Sequence, residues 1–232
     1  MNLAERLGHP FTLAFALSYQ ALLYLFRREP DVALRHAHEV ETFAIEQRLA
    51  LLLDPNILRA KAFLAQGAVE NAVASVREGV AARQKTGWEL HPPYHLSIAS
   101  EVLGGAGDYE SAAAALAEAE MAIDASNERW WEAEIHRLKG VLLLSQGDIA
   151  QSESCFKRSI RIARQQRASS LELRAATSLA RLWGEQGWRA EARDLLAPVY
   201  GWFTEGFDTP DLKDAATLLF DLQRPGRNQR AL

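Results

Sequence analysis

Residues 138–152 read Leu138-Lys139-Gly140-Val141-Leu142-Leu143-Leu144-Ser145-Gln146-Gly147-Asp148-Ile149-Ala150-Gln151-Ser152. Leu138, Val141, Leu142 and Leu144 keep helical spacing up to Gly147, and Ile149, Phe156, Ile160 and Ile162 resume it afterwards. Strand alternation is absent. The segment therefore predicts two helices joined at a tight turn. Gly140 lies inside the first of them, where glycine costs roughly 1 kcal/mol against alanine and implies a compensating close contact.

The same pattern recurs along the chain. Arg28, Gly67, Gly107, Gly147 and Gly187 each end an apolar helical stretch, at spacings of 39, 40, 40 and 40 residues. Five residues after each marker stands Ala33, Ala72, Ala112, Ser152 or Ala192. Seven before it stands Ala21, Ala60, Ser100, Gly140 or Ala180. All ten are small, and two helix axes approach closely only where the crossing side chains are small. The spacing predicts first helices over 10–27, 54–66, 92–105, 130–146 and 170–186, and second helices over 30–48, 69–86, 108–126, 148–167 and 188–204.

Asp54-Pro55 and Thr209-Pro210 each supply an N-cap followed by proline at the first helical position, and Ser169 with Glu172 has capping-box spacing. The Thr209 start opens a last helix to about Gln223 with Leu212, Ala215, Ala216, Leu219 and Leu222 on one face, which predicts a cap over the fifth hairpin. The expected fold is all-α, a right-handed solenoid of five hairpins (10–48, 54–86, 92–126, 130–167 and 170–204) with a capping helix at 209–223. A domain over 1–223 and a loose tail over 224–232 follow from it.

Composition excludes several function classes. The 232 residues are 48% hydrophobic and 24% charged, as in an ordinary folded protein, and length alone permits one domain or two. A net charge of −4 argues against a dedicated nucleic-acid surface, whose affinity needs clustered Lys and Arg. The single cysteine, Cys155, rules out an intrachain disulfide and a multi-cysteine zinc site, so the default setting is cytoplasmic. The opening residues lack the basic start and apolar run of a secretory signal. The most apolar stretch, Phe11 to Phe26, is broken by Ser18 and Gln20, so no membrane segment is expected.

The chain resembles the C-terminal tetratricopeptide region of large bacterial signalling ATPases, many of them described as adenylate cyclases. The resemblance rests on Arg129-Trp130-Trp131-Glu132-Ala133-Glu134-Ile135-His136-Arg137-Leu138-Lys139-Gly140, on Ser170-Leu171-Glu172-Leu173-Arg174-Ala175-Ala176 and on Tyr200-Gly201-Trp202-Phe203-Thr204-Glu205-Gly206-Phe207-Asp208-Thr209-Pro210-Asp211-Leu212. It implies a regulatory helical array attached to a nucleotide-binding switch. No Gly-x-x-x-x-Gly-Lys-Ser/Thr loop stands in this chain, so neither ATPase nor cyclase activity carries over. The period of 40 departs from the usual tetratricopeptide length of about 34 and approaches that of HEAT repeats, which longer helices explain.

In such an array the first helices line one extended face. Positions 13, 10 and 6 before the markers give a candidate groove of Lys61, Tyr94, Glu101, Glu134, Arg137, Arg174 and Arg181, to which Ser97 and Thr177 add neutral hydrogen-bonding groups. Arginine forks onto carboxylates, so the implied guest is an acidic protein or peptide segment, or alternatively an anionic metabolite. A solvated face of salt bridges explains the same residues. Trp130 and Trp131 point about 100° apart on a helix, which predicts one packed between hairpins and the other nearer the groove.

His91 and His95 have the spacing of two metal ligands but no evident third. Cys155 beside Phe156 on an apolar stripe reads as a small hydrophobe, without a neighbouring histidine to activate it. Glu132 with Glu134, and Asp208 with Asp211, read as helix-start charges. No nucleophile, base and oxyanion site assembles, so the expected role is non-catalytic, without cofactor or metal.

Overall fold

The structure is a computed structural model and describes residues 2–49, 55–86 and 91–224. Twelve helices succeed one another along these residues, and no strand occurs among them. They are α1 (Asn2–Leu7), α2 (Pro10–Phe26), α3 (Pro30–Gln47), α4 (Pro55–Ala65), α5 (Val69–Thr86), α6 (Pro92–Gly105), α7 (Tyr109–Ser126), α8 (Glu132–Ser145), α9 (Ile149–Gln166), α10 (Ser169–Glu185), α11 (Arg189–Tyr200) and α12 (Pro210–Gln223).

The marker residues of the sequence repeat are left-handed helix terminators. At Gly147 φ is +84°. Its amide donates to the Leu144 carbonyl at 3.0 Å, and the Asp148 amide donates to the Leu143 carbonyl at 2.9 Å. This two-bond closure satisfies carbonyls that the end of the helix would leave orphaned. The same bonds form at Arg28, Gly67, Gly107 and Gly187, all with positive φ. Arg48 and Arg167 repeat the device at the ends of second helices α3 and α9.

The small-residue columns occupy the crossings. Ala21, Ala60, Ala180, Ala33, Ala72, Ala112, Ser152 and Ala192 have no exposed surface, and Ser100 and Gly140 are buried. In the fourth hairpin the Phe156 ring takes the space that a Gly140 side chain would fill: an added Cβ would lie 2.6 Å from Cε1 of Phe156. The residue at the repeat position of Phe156 is Ala37, Val76, Leu116, Phe156 or Leu196 in successive hairpins. The largest of these therefore meets the only glycine of the column.

The chain divides into two compact units, Met1–Ala122 and Ile123–Leu232, with the boundary inside α7. In the first unit α2 packs on α3 and α4 on α5, and α4 lies beside both α2 and α6. In the second, α10 is central, packing on α8, α9, α11 and α12. Its core joins Phe156, Ile160, Leu173, Leu179, Leu196, Leu212 and Leu222. The last helix covers the fifth hairpin as expected, with Leu212, Ala215 and Leu222 buried and Ala216 and Leu219 half-buried.

Several boundaries differ from the sequence expectation. The six-residue α1 is too short to display a period. Helix α8 starts at Glu132 rather than 130, because Trp130 and Trp131 lie in a turn closed by the Glu132 amide on the Arg129 carbonyl. Helix α11 stops at Tyr200 rather than 204, because Pro198 removes an amide and Gly201 follows three residues after it.

Thr209 precedes α12 as expected but does not cap it. Its hydroxyl donates instead to the Gly206 carbonyl at 2.7 Å. Ser169 is the first residue of α10 rather than its cap, and Glu172 accepts from Arg164 at 2.7 Å, so no capping box forms. Pro55 begins α4, while Asp54 and the tail beyond Arg224 lie outside the described residues.

Candidate functional site

The candidate groove residues fall into one set in each unit. In the first unit, Lys61 on α4 donates to Glu101 on α6, and both side chains are about one quarter exposed. They hold the same place in successive repeats, 40 residues apart, so this ion pair ties neighbouring first helices together. Tyr94 does not line an open groove. It is only 2% exposed and meets the Phe26 ring edge-on, with centroids 5.9 Å apart. Its apolar body outweighs its one polar atom in a position flanked by a neighbouring first helix. Ser97 is buried too, its hydroxyl donating to the Tyr94 carbonyl at 2.7 Å.

In the second unit the charges form a network. Glu134 on α8 is 4% exposed and accepts two bonds from Arg137, at 2.9 Å from Nε and 2.8 Å from Nη2. The fork matches the carboxylate geometry and suits a position one helical turn along. Arg174 on α10, the repeat-equivalent of Glu134 in the next hairpin, lies 3.7 Å from the same carboxylate. Its Nε donates to Asp211 on α12 at 2.7 Å. Three first-helix positions are thereby linked in one chain of charges, Arg137 to Glu134 to Arg174 to Asp211.

Burial works against the Arg174 charge, but the carboxylates of Glu134 and then Asp211 outweigh it and hold its pKa above the ordinary arginine value. Arg174 stays a cation in the folded chain. The pair of arginines is matched by a pair of carboxylates, so the expected cationic patch of Arg137, Arg174 and Arg181 is neutralised over its first two members. Arg181, two turns beyond Arg174 on α10, is exposed. Thr177 between them is buried, and its hydroxyl is shielded from solvent.

Asp211 is the member that sequence reasoning missed as part of the site. It comes 37 residues after Arg174 rather than 40, in the helix that breaks the repeat, where an acidic residue reads as an ordinary helix-start charge.

Trp131 is buried and Trp130 is exposed, their rings 5.1 Å apart, and both stand in the turn before α8 rather than on the helix expected for them. Trp130 Nε1 donates to Glu128 at 2.6 Å. His91 accepts or donates through Nε2 to the Tyr19 hydroxyl at 2.9 Å, and His95 is buried. No cluster of three potential metal ligands occurs among the described residues. Cys155 is half-buried. No helix among the described residues is long and apolar enough to cross a membrane.

No family model and no curated protein matches the chain. Solved structures do. The nearly identical tetratricopeptide-like repeats of a Podosopora anserina kinesin light chain align over 83% of this chain and 95% of that one, at 21% identity and a TM-score of 0.53. The quorum sensor NprR of B. thuringiensis, also solved with its cognate peptide NprX, aligns in its apo form over 94% of this chain and 62% of its own length, at 15% identity and a TM-score of 0.63. A signal-transduction ATPase with numerous domains from Pyrococcus horikoshii, with a tetratricopeptide repeat sensor, aligns over 92% of this chain but only 33% of its own, at 12% identity and a TM-score of 0.57. At these identities the likeness is one of fold: this chain has a tetratricopeptide-like helical-repeat architecture.

Proposed function

We propose that this chain is a non-catalytic interaction or sensor module of a cytoplasmic multidomain signalling protein, and that it takes a protein or peptide segment on the face of its first helices. The observation behind this reading is the way first helices pack side by side within each unit while repeat-equivalent charged residues are bonded across them, Lys61 to Glu101 and Glu134 to Arg174. The fold likeness to a quorum sensor solved with a bound peptide, and to a repeat sensor attached to a signalling ATPase, supports the regulatory class.

An acidic segment fits the second unit best. Exposed Arg181 offers a first contact, and a second carboxylate of the same segment, about 10 Å away along α10, can compete with Asp211 for Arg174. Trp130 offers an apolar anchor at the start of the preceding hairpin. Selection of a displayed random-peptide library on the purified chain tests the reading. Enriched acidic peptides that lose binding on Arg181→Glu and retain it on Arg193→Glu, at an exposed position of the second helix α11, support it. Enrichment of peptides indifferent to Arg181 overturns the acidic-segment reading, and failure to enrich any peptide family overturns peptide recognition.

A further inference from the structure

A cavity of about 320 Å³ opens in the second unit between α9, α10 and α11, away from the charge network of the first helices. Its volume is at the lower end of small-ligand pockets, which run from about 300 to 1,000 Å³. Ile160, Leu179, Trp183 and Leu195 make its apolar floor. Lys157, Arg161 and Arg164 stand along one wall. These three are four and then three residues apart on α9, so they share one helix face, and all are exposed.

The repeat supplies an internal control. Residues equivalent to Lys157, Arg161 and Arg164 on α7 are Ala117, Met121 and Asp124, and those on α5 are Arg77, Ala81 and Gln84. Residues equivalent to Trp183 are Leu103 and Leu143 in the two preceding hairpins. Hairpin packing thus demands neither three cations on the second helix nor an indole beneath them. In this chain, which is acidic as a whole, they occur together once, around one cavity.

The wall cations are not equally engaged. Lys157 pairs with Glu153 at 2.6 Å and sits 5.6 Å from the Trp183 ring centroid, and Arg164 pairs with Glu172 at 2.7 Å. Arg161 lies between them. An apolar floor that includes an aromatic ring, with a guanidinium at its edge, matches a ligand with a flat apolar body and one carboxylate. We infer that this cavity is a binding site for a small aromatic carboxylate, with Trp183 receiving the ring and Arg161 the anionic group.

Calorimetric titration of the whole chain with 2-naphthoate and with its neutral analogue 2-naphthamide tests this. The carboxylate is expected to bind at one site about tenfold more tightly than the amide, the size of one charge-assisted hydrogen bond. Arg161→Gln, an exposed substitution that leaves the fold intact, should abolish that preference and leave amide binding unchanged. Trp183→Leu, the residue used at Leu103 and Leu143, should weaken both ligands. Equal affinities for the two ligands, an unchanged preference in Arg161→Gln, or no binding of either at millimolar concentration would each overturn the assignment.

Discussion

Glu134 and Arg174 stand at the same place in consecutive hairpins, and their side chains lie 3.7 Å apart with the Glu134 carboxylate almost wholly buried. The repeat thus sets opposite charges on neighbouring first helices, as it does at Lys61 and Glu101. Replacing Glu134 by Gln leaves Arg137 and Arg174 without their shared counter-charge in a partly desolvated setting. The expected loss is about 3 kcal/mol, since breaking one side of a buried charge pair is costly. Asp211→Asn, at the rim, should cost about 1 kcal/mol. Urea denaturation of the two variants checks the order.

The pH behaviour of the network follows from Arg174. Its folded pKa is raised, so its contribution is fully present below the unfolded value and is lost only as pH rises through the folded one. Both lie in the strongly alkaline range. Between neutrality and pH 10 the melting temperature of the Arg174→Gln variant should therefore run parallel to that of the wild type, and a widening or narrowing gap would show that another group titrates there.

Gly140 and Phe156 should be coupled. Gly140→Ala gains helix propensity yet drives a methyl into the Phe156 ring, for an expected net loss on the order of 1 to 2 kcal/mol. Combined with Phe156→Leu, the same alanine should become neutral or stabilising, because Ala180 with Leu196 is the combination already used in the next hairpin. Gly140→Leu should cost about 1 to 3 kcal/mol or more, whereas Ala114→Leu, at an exposed position on α7, should stay within about 0.5 kcal/mol. A double-mutant cycle by thermal or chemical denaturation reads all of these.

The five turn markers differ in one residue, and its effect has a definite sign. Arg28 holds φ +58° without the freedom of glycine, so Arg28→Gly should stabilise by about 1 kcal/mol. Gly147→Ala should lose a similar amount although nothing lies within 4 Å of the added carbon, because the cost is in the backbone alone. Opposite shifts in melting temperature are the expected result.

Arg181→Ala isolates recognition from folding. The side chain is exposed, so stability should change by no more than about 0.5 kcal/mol, while affinity for an acidic peptide falls and becomes less sensitive to salt. Arg174→Ala is not equivalent, since it also removes a partner of Asp211 and Glu134 and should lower stability. Salt-dependent binding curves beside melting curves separate the two effects.

The sequence by itself determined the hairpins. Gly67, Gly107, Gly147 and Gly187 had to terminate helices, since glycine occupies left-handed backbone at least cost, and the small columns around them had to be crossings, since only small side chains let two axes approach. Those are local requirements, repeated often enough to be read from one chain. Tertiary structure alone decided the charge of the candidate face. Whether Arg174 is an open cation or one held between carboxylates depends on Asp211, delivered by a cap helix outside the period, and on the depth of Glu134, which sequence spacing does not encode. It likewise decided that Tyr94 is buried under Phe26, and that Trp183 lies beneath the cations of α9. In each case side chains distant in sequence are brought together by packing between hairpins, and the electrostatic outcome belongs to the pair rather than to either residue.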